Sequence, residues 1–125
     1  MQTLLIADDD PDLRLLLQTT LEDPAYRILE ASDGESALRL VRQERPDVVI
    51  LDRMMPKLDG LAVARTVLAD PAIRHIPLVL LTALEPPTAI DVEPSPEVFA
   101  YLLKPFSPLQ LLETVRQALD RTETT

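Results

Sequence analysis

The stretch Val48-Val49-Ile50-Leu51-Asp52 is a run of four apolar residues that ends at a carboxylate. Three other apolar runs also end at a side chain able to bind a phosphoryl group or a divalent cation: Leu4-Leu5-Ile6-Ala7 at Asp8-Asp9-Asp10, Leu78-Val79-Leu80-Leu81 at Thr82, and Tyr101-Leu102-Leu103 at Lys104. Such runs, separated by helix-like segments, are typical of buried parallel strands. Ligands of open α/β sheets bind beyond the carboxyl ends of the strands. The pattern therefore predicts one site at one edge of a sheet.

Helix signals lie between these runs. Asp10-Pro11 and Ser107-Pro108 each place a capping side chain before proline at the first helical position. Two helices show an apolar face at helical spacing: Leu13, Leu16, Leu17 and Leu21 in the first, and Leu111, Leu112, Val115, Ala118 and Leu119 in the last. We predict strands over residues 4–7, 26–31, 47–51, 76–82 and 101–103, and a turn at Asp33-Gly34. The alternation predicts an α/β fold, a parallel sheet with helices on both faces.

The segment between Thr82 and Tyr101 interrupts this alternation. It contains Pro86, Pro87, Pro94 and Pro96. Proline inside a helix costs about 3 kcal/mol, so a long fourth helix is not expected. We predict a shortened or irregular fourth helix over residues 85–96.

Composition excludes several classes of function. The chain has 125 residues, a net charge of −9, no cysteine and two glycines. A length of this order predicts one domain, and the absence of cysteine excludes disulfides and thiolate sites. These glycines, Gly34 and Gly60, lie too far apart to build a G-x-G-x-x-G turn or a P-loop. The negative charge disfavours direct binding to nucleic acid, and no apolar run is long enough to span a membrane. We expect a cytoplasmic protein.

Three carboxylates are predicted to converge, those of Asp8, Asp9 and Asp52. Two unit charges about 4 Å apart repel by about 4 kcal/mol at an effective dielectric constant of 20, so this cluster calls for a divalent cation. Mg²⁺ is commonly held by one or two carboxylates together with water and phosphate oxygens. An alternative for the run that begins at Asp8 is simple acid enrichment at a helix N-terminus. An alternative for Asp52 is an ordinary loop aspartate.

The chemistry of the site depends on Asp52, because a carboxylate can attack a phosphoryl group and form an aspartyl phosphate. Lys104 would then pair with a phosphoryl oxygen, and Pro105 after it permits a cis peptide bond. The hydroxyl of Thr82 could donate to the same group. Lys104 could instead be a solvated strand-end lysine, and Thr82 an ordinary strand residue.

These residues together resemble the receiver domain of two-component response regulators, and in particular its single-domain, chemotaxis-regulator-like members. The matching stretches are Asp8-Asp9, Leu51 to Gly60, Leu81-Thr82-Ala83 and Tyr101 to Phe106, in the family's order and over essentially the whole chain. The resemblance implies a flavodoxin-like (βα)₅ doubly wound sheet of five parallel strands in the order 2-1-3-4-5. We expect residues 1–121 to form the receiver domain and residues 122–125 a polar tail.

The resemblance also implies roles for single residues. Asp52 would accept a phosphoryl group from a sensor histidine kinase or a histidine phosphotransfer protein. Asp9, Asp52 and the main-chain carbonyl of Met54 would bind Mg²⁺, with Mn²⁺ as an alternative, and Asp8 would act through water. Lys104 would pair with the phosphoryl group.

Signalling would follow from a conformational switch. Thr82 and Tyr101 would form the switch pair, with the hydroxyl moving toward the phosphate and the ring turning inward. The protein would not be an enzyme in the usual sense but a phosphoacceptor with Mg²⁺-dependent self-phosphorylation and autodephosphorylation. Its partners would be the kinase and a downstream protein target that the sequence does not identify. No direct contact with nucleic acid or membrane is implied, and the protein would be a monomer or a weak homodimer.

The sequence departs from the family pattern in two places. One concerns the output surface of the domain, and the other concerns the lifetime of its phosphorylated form. The proline-rich segment stands where the family has a fourth helix, and Glu97 to Ala100 replace the small residues that usually precede the strand-five tyrosine. Met54 and Leu84 lie where the family tunes hydrolysis of the phosphoryl group, and both are apolar here. Because apolar neighbours hinder an attacking water, we expect slow autodephosphorylation.

Two other functions compete with a phosphorylation switch. A haloacid-dehalogenase-type phosphatase also forms an aspartyl phosphate, but it needs a second acid two residues after the nucleophile, where this chain has Met54, and a cap domain for which the length leaves no room. A degenerate receiver could bind partners through its altered fourth segment without phosphorylation. Phosphoryl transfer from acetyl phosphate would separate that function from a switch.

Overall fold

Five strands and four helices are present in the residues that the structure describes. The structure, a computed structural model, describes residues 1–83 and 98–123, with side chains as far as residue 120. The strands are β1 (Gln2–Ala7), β2 (Tyr26–Ala31), β3 (Val48–Asp52), β4 (Leu78–Thr82) and β5 (Ala100–Leu103). The helices are α1 (Pro11–Leu21), α2 (Gly34–Glu44), α3 (Gly60–Ala69) and α4 (Pro108–Glu123). The segment predicted to hold an irregular helix, residues 85–96, lies outside the described residues.

All five strands are parallel, and their order in the sheet is β2-β1-β3-β4-β5. This order confirms the predicted flavodoxin-like fold. Ala7 of β1 is in register with Leu51 of β3. The residues that follow them, Asp8 and Asp52, therefore leave neighbouring strands at the same level of the sheet.

The sheet separates two apolar cores, because alternate residues of each strand face opposite sides. In β3, Val49 and Leu51 point into the core that the sheet forms with α2 and α3. Val48 and Ile50 point into the core formed with α1 and α4. Both sets are fully buried, as expected for a parallel strand covered on both faces.

The helices begin where the capping residues predict, but two of them bury narrower faces than expected. Asp10 caps α1 by accepting hydrogen bonds from Asp12 N and Leu13 N. Leu16 is 54% exposed, so its assignment to the buried face of α1 was wrong, and so was that of the exposed Leu112 in α4. A helix that lies on a sheet buries a stripe at i, i+4 and i+8, here ending in Leu17 and Leu21, and Leu16 falls beside it.

The chain bends at Ser32 and Asp33, next to the predicted turn, but Gly34 already belongs to α2. Asp33 caps α2, since its side chain accepts the hydrogen bond of Ser36 N, and Gly34 is the first residue of that helix. Strand β4 begins at Leu78, not at Ile76 as predicted. Pro77 has no N–H for the sheet, although its carbonyl still accepts from Val49 N at 3.1 Å.

Candidate functional site

Three acidic side chains meet beyond the carboxyl ends of β1 and β3. Asp8 follows β1 and is fully buried, Asp52 ends β3 and is 5% exposed, and Asp9 is exposed. One carboxylate oxygen from each lies within 4.8 Å of the others. The structure thus brings together the three carboxylates that the sequence placed at strand ends.

Asp8 carries the electrostatic strain of this cluster. Its Oδ1 accepts a hydrogen bond from Asp10 N at 2.9 Å, whereas its buried Oδ2 has no partner among the described residues. Burial raises the pKa of Asp8 from 3.8 to about 6, and the charge of Asp52 adds to this effect. A buried, unpartnered carboxylate oxygen beside two further carboxylates has the donor chemistry that a hard divalent cation requires.

Lys104 supplies the positive charge of the site. Its Nζ lies 2.9 Å from Asp52 Oδ1, and the lysine side chain is about one-third exposed whereas the aspartate side chain is buried. The main-chain N–H of Lys104 donates to the carbonyl of Thr82 at 2.8 Å. The Lys104–Pro105 peptide bond is cis. The sequence alternative of a solvated lysine therefore does not describe this residue, whose ammonium reaches the candidate nucleophile.

Thr82 and Tyr101 lie on the adjoining strands β4 and β5. Thr82 is buried at the end of β4, one residue beyond Leu81, which is in register with Asp52. Tyr101 pairs in register with Leu80 and packs, partly buried, against the core under α2 and α3. The predicted switch residues are thus on neighbouring strands, with Thr82 at the level of the carboxylates and Tyr101 below it.

The loop that follows Asp52 is fastened at its two ends. Arg53 N donates to the carbonyl of Leu81, and Gly60 N donates to the carbonyl of Arg53, both at 2.9 Å. A Cβ on Gly60 would lie 2.3 Å from the carbonyl oxygen of Asp52, so the chain closes on itself here. Between these points Met54 extends its side chain into solvent.

Sequence reasoning missed one residue that supports the acidic cluster. Arg14, one turn into α1, donates from Nη1 to the carbonyl oxygen of Asp8 at 2.7 Å. Its Nε also lies 3.5 Å from a carboxylate oxygen of Glu30 in β2. The side chain thereby connects the ends of two strands beneath the site. No pattern in the sequence indicates this role for Arg14.

Sequence comparisons show which family of proteins this chain resembles. The model of the response regulator receiver domain matches residues 4–116. The chain is 44% identical over 123 residues to a probable transcriptional regulator, ycf27, of Guillardia theta, which covers 97% of this chain and 46% of that protein. The chain thus spans about half the length of the curated relatives it matches.

Solved structures show the same fold. The receiver domain of a signal transduction histidine kinase from Syntrophus aciditrophicus superposes with a TM-score of 0.87 at 29% identity, covering all of this chain and 95% of that one. The receiver domain of the sensor histidine kinase PA1611 from Pseudomonas aeruginosa superposes with a TM-score of 0.83 at 27% identity, covering 95% and 98% of the two chains. That structure is described with a magnesium ion coordinated in its active-site cleft.

Two further observations bear on the class of protein. In the described part of the chain no helix combines the length and apolar character needed to cross a membrane. The family match covers residues 4–116 of the 125. Independently of it, the structure shows the strand order 2-1-3-4-5. On sequence and on fold alike, the chain is a signalling receiver domain and belongs to the response regulator family of two-component systems.

Proposed function

We propose that Asp52 is the phosphoacceptor of a Mg²⁺-dependent switch and receives its phosphoryl group from a sensor histidine kinase or a histidine phosphotransfer protein. The observation that carries this proposal is the convergence of three carboxylates within 4.8 Å, with an ammonium group 2.9 Å from one of them. The buried carboxylates of Asp8 and Asp52 are costly without compensating charge, and the cluster matches the charges of a phosphoryl group and a divalent cation.

In the transfer step one carboxylate oxygen of Asp52 attacks the phosphorus of the donor. An O–P bond forms, and the P–N bond to the donor histidine breaks with its electron pair remaining on the imidazole nitrogen. Lys104 is held beside Asp52 and pairs with the oxygens of the incoming group. Catalysis is mostly positioning and charge stabilisation, as is usual for phosphoryl transfer.

The acidic cluster is the proposed metal site. Asp9, Asp52 and the main-chain carbonyl of Met54 would hold Mg²⁺, or Mn²⁺ in its place, and Asp8 would act through water. The unpartnered Oδ2 of Asp8 supports this arrangement, since it needs a hydrogen-bond donor such as a bound water. When bound, the ion neutralises charge on the phosphoryl oxygens and on the carboxylates.

The proposed switch pair is Thr82 and Tyr101. A phosphoryl group on Asp52 adds about −1.5 to −2 charges close to the end of β4, where Thr82 is buried. Its hydroxyl moves toward the new charge, and the Tyr101 ring turns into the space that opens. A change of this kind on neighbouring strands conveys phosphorylation to the surface that a downstream protein target binds.

The remaining properties are proposed on the same basis. Residues 1–121 form the functional unit, and residues 122–125, of which the first two still belong to α4, are a polar end segment. The protein acts in the cytoplasm as a monomer or weak homodimer and has no direct contact with nucleic acid or membrane, in keeping with its net charge of −9. It is a switch that catalyses its own phosphorylation and dephosphorylation.

The test is incubation with acetyl phosphate, followed by intact mass. We expect the mass of one phosphoryl group to be added in the presence of Mg²⁺ and not in the presence of a chelator. Wild-type protein that gains no phosphoryl group under either condition would contradict the proposal.

An apolar hollow beside the acidic cluster is the proposed docking site for the phosphoryl donor protein. It has a volume of about 360 Å³ and is lined by Leu13, Leu16, Lys104, Pro105 and Phe106. Lys104 belongs both to this hollow and to the candidate phosphorylation site. A protein that delivers a histidine-bound phosphoryl group to Asp52 must cover this surface, and we expect it to place an apolar side chain in the hollow.

Leu16→Asp is therefore expected to slow transfer from the donor protein at least tenfold, because a charge is placed in an apolar contact. Transfer from acetyl phosphate should not change, since a small donor needs no docking surface. Leu15→Asp is the matched control, because Leu15 is on the same helix, similarly exposed at 61% against 54%, and outside the hollow. Phosphorylation rates with the two donors provide the measurement, and equal slowing by both variants would contradict the docking assignment.

Met54→Asn is expected to shorten the lifetime of the phosphorylated protein on the order of tenfold. A polar side chain at this rim position can orient the attacking water, which an apolar one cannot. The decay of phosphoprotein after removal of the donor, followed by intact mass, measures this effect. Leu109→Asn is the control, because Leu109 is as exposed as Met54, at 74%. A lifetime that lengthens in Met54→Asn would count against the assignment.

A further inference from the structure

The loop after the candidate phosphoacceptor contains an unusual backbone conformation. Lys57 has φ of 68°, and Leu58 N donates to the carbonyl of Pro56 at 2.8 Å. These are the features of a γ-turn with positive φ centred on Lys57, which is rare and strained for a residue with a side chain. Such conformations persist only where surrounding contacts enforce them. Contacts from another part of the chain must therefore hold Lys57 in this conformation.

The first turn of α2 makes those contacts. Gly34 N donates to the carbonyl of Pro56 at 3.5 Å. A Cβ on Gly34 would lie 1.7 Å from the carbonyl oxygen of Leu58, so the loop backbone rests directly on this glycine. The glycine is not needed for its own backbone angles, because neither glycine of the chain has positive φ. Its position in the chain is explained by this close approach.

A charge pair adds to the contact. Lys57 Nζ lies 3.7 Å from Asp33 Oδ2. The hydrogen bond from Ser36 N–H lowers the pKa of Asp33, so its carboxylate is charged at neutral pH. Asp33 thereby caps α2 and holds the side chain of the γ-turn residue at the same time.

Resting on the proposed function, we propose that Asp33 and Gly34 are positioning residues for the metal site. They hold the γ-turn at Lys57 in place and so fix the position of the main-chain carbonyl of Met54. That carbonyl lies in a short span between two anchors. One is Arg53, hydrogen-bonded to β4, and the other is the Pro56 carbonyl on Gly34. If the second anchor is lost, the span is held from one side only.

Lys57→Ala tests the proposal by the sign of its effect on Mg²⁺ affinity, measured by calorimetric titration. Removal of a cation near an acidic site should by Coulomb's law strengthen Mg²⁺ binding. Loss of the contact between Lys57 and Asp33, which holds the γ-turn in place, should weaken Mg²⁺ binding. We expect a several-fold weaker affinity. Arg45→Ala is the matched control, because Arg45 is an exposed cation with positive φ (46°) at the opposite end of α2. Its Mg²⁺ affinity should equal or slightly exceed that of the wild type.

Gly34→Ala changes no charge and should weaken Mg²⁺ binding about tenfold, the usual cost of losing a group that orients a metal ligand. Amide exchange at Leu58 in the metal-free protein gives a readout independent of the metal, and we expect its protection to fall in both variants. If Gly34→Ala does not fold, Lys57→Ala decides alone. Folded Lys57→Ala with wild-type or tighter affinity would overturn the inference only, whereas a wild type that binds no Mg²⁺ would overturn the proposed function with it.

Discussion

Asp52→Asn is expected to abolish phosphoryl incorporation from acetyl phosphate, because the amide oxygen is a poor nucleophile and cannot form the acyl phosphate. The substitution retains the size of the side chain and an oxygen that can accept a hydrogen bond from Lys104 Nζ. In the wild type this nitrogen lies 2.9 Å from Asp52 Oδ1. Folding should therefore be preserved, which circular dichroism can verify. Intact mass measured after incubation with Mg²⁺ and acetyl phosphate should show only unmodified protein.

Asp12→Asn is the control for this experiment. Asp12 is exposed in the first turn of α1, close in sequence to Asp8 and Asp9 but outside the group of converging carboxylates. It should be phosphorylated at close to the wild-type rate. Undiminished phosphorylation of Asp52→Asn would show that another side chain is the acceptor, and the functional assignment would then fail.

Asp8→Asn is expected to stabilise the metal-free protein and to weaken Mg²⁺ binding. The pKa of Asp8 is raised from 3.8 to about 6, mainly by burial, so the folded state binds its proton more tightly than the unfolded state does. The stabilisation by the protonated Asp8 side chain is therefore lost as the pH rises from 3.8 through about 6, and the loss is complete at pH 7. The shift corresponds to at most about 3 kcal/mol.

Urea unfolding in the presence of a chelator, at several pH values, measures this gain. The free energy of unfolding of Asp8→Asn should exceed that of the wild type at pH 7, and the difference should shrink as the pH falls from about 6 toward 3.8. The amide still accepts the hydrogen bond from Asp10 N, so the local turn is kept. An unchanged difference across that range would mean that Asp8 does not titrate as described.

Added Mg²⁺ should reverse the order of the two unfolding free energies, so that the wild type becomes more stable than Asp8→Asn. The wild type gains stability from the ion by mass action. Asp8→Asn should gain less, because loss of a group that orients the metal site lowers affinity by about 10- to 100-fold. Equal stabilisation of both proteins by Mg²⁺ would exclude Asp8 from the site.

Short-range signals account for most of what the sequence predicted. Runs such as Leu4 to Ala7 are apolar because both faces of their strand are covered, and Asp10 and Ser107 show where helices start. Parallel strands end at one edge of the sheet, so the meeting of Asp8 and Asp52 followed from topology alone. The proline-rich stretch lies outside the described residues, and its predicted irregular helix stays a prediction.

What the sequence did not predict depends on contacts between distant parts of the chain. Asp33 and Gly34 look like a turn in isolation, and only the approach of Leu58 explains the glycine. The exposure of Leu16 depends on how α1 lies on the sheet, which helical periodicity alone cannot specify. Arg14 shows no local pattern that would distinguish it from other helix arginines.

Strand β5 has a mechanical consequence for signalling. It has four residues, pairs only with β4 among the described strands, and is less buried than β3 or β4. An outermost strand with so few neighbours opens at lower free-energy cost than the interior ones. Lys104 follows this strand directly, and its ammonium already pairs with Asp52 at the end of the interior strand β3. A phosphoryl group on Asp52 would strengthen this link between the edge strand and the interior of the sheet. We expect β5 to be held more firmly in the activated form than in the resting form, in addition to the changes at Thr82 and Tyr101.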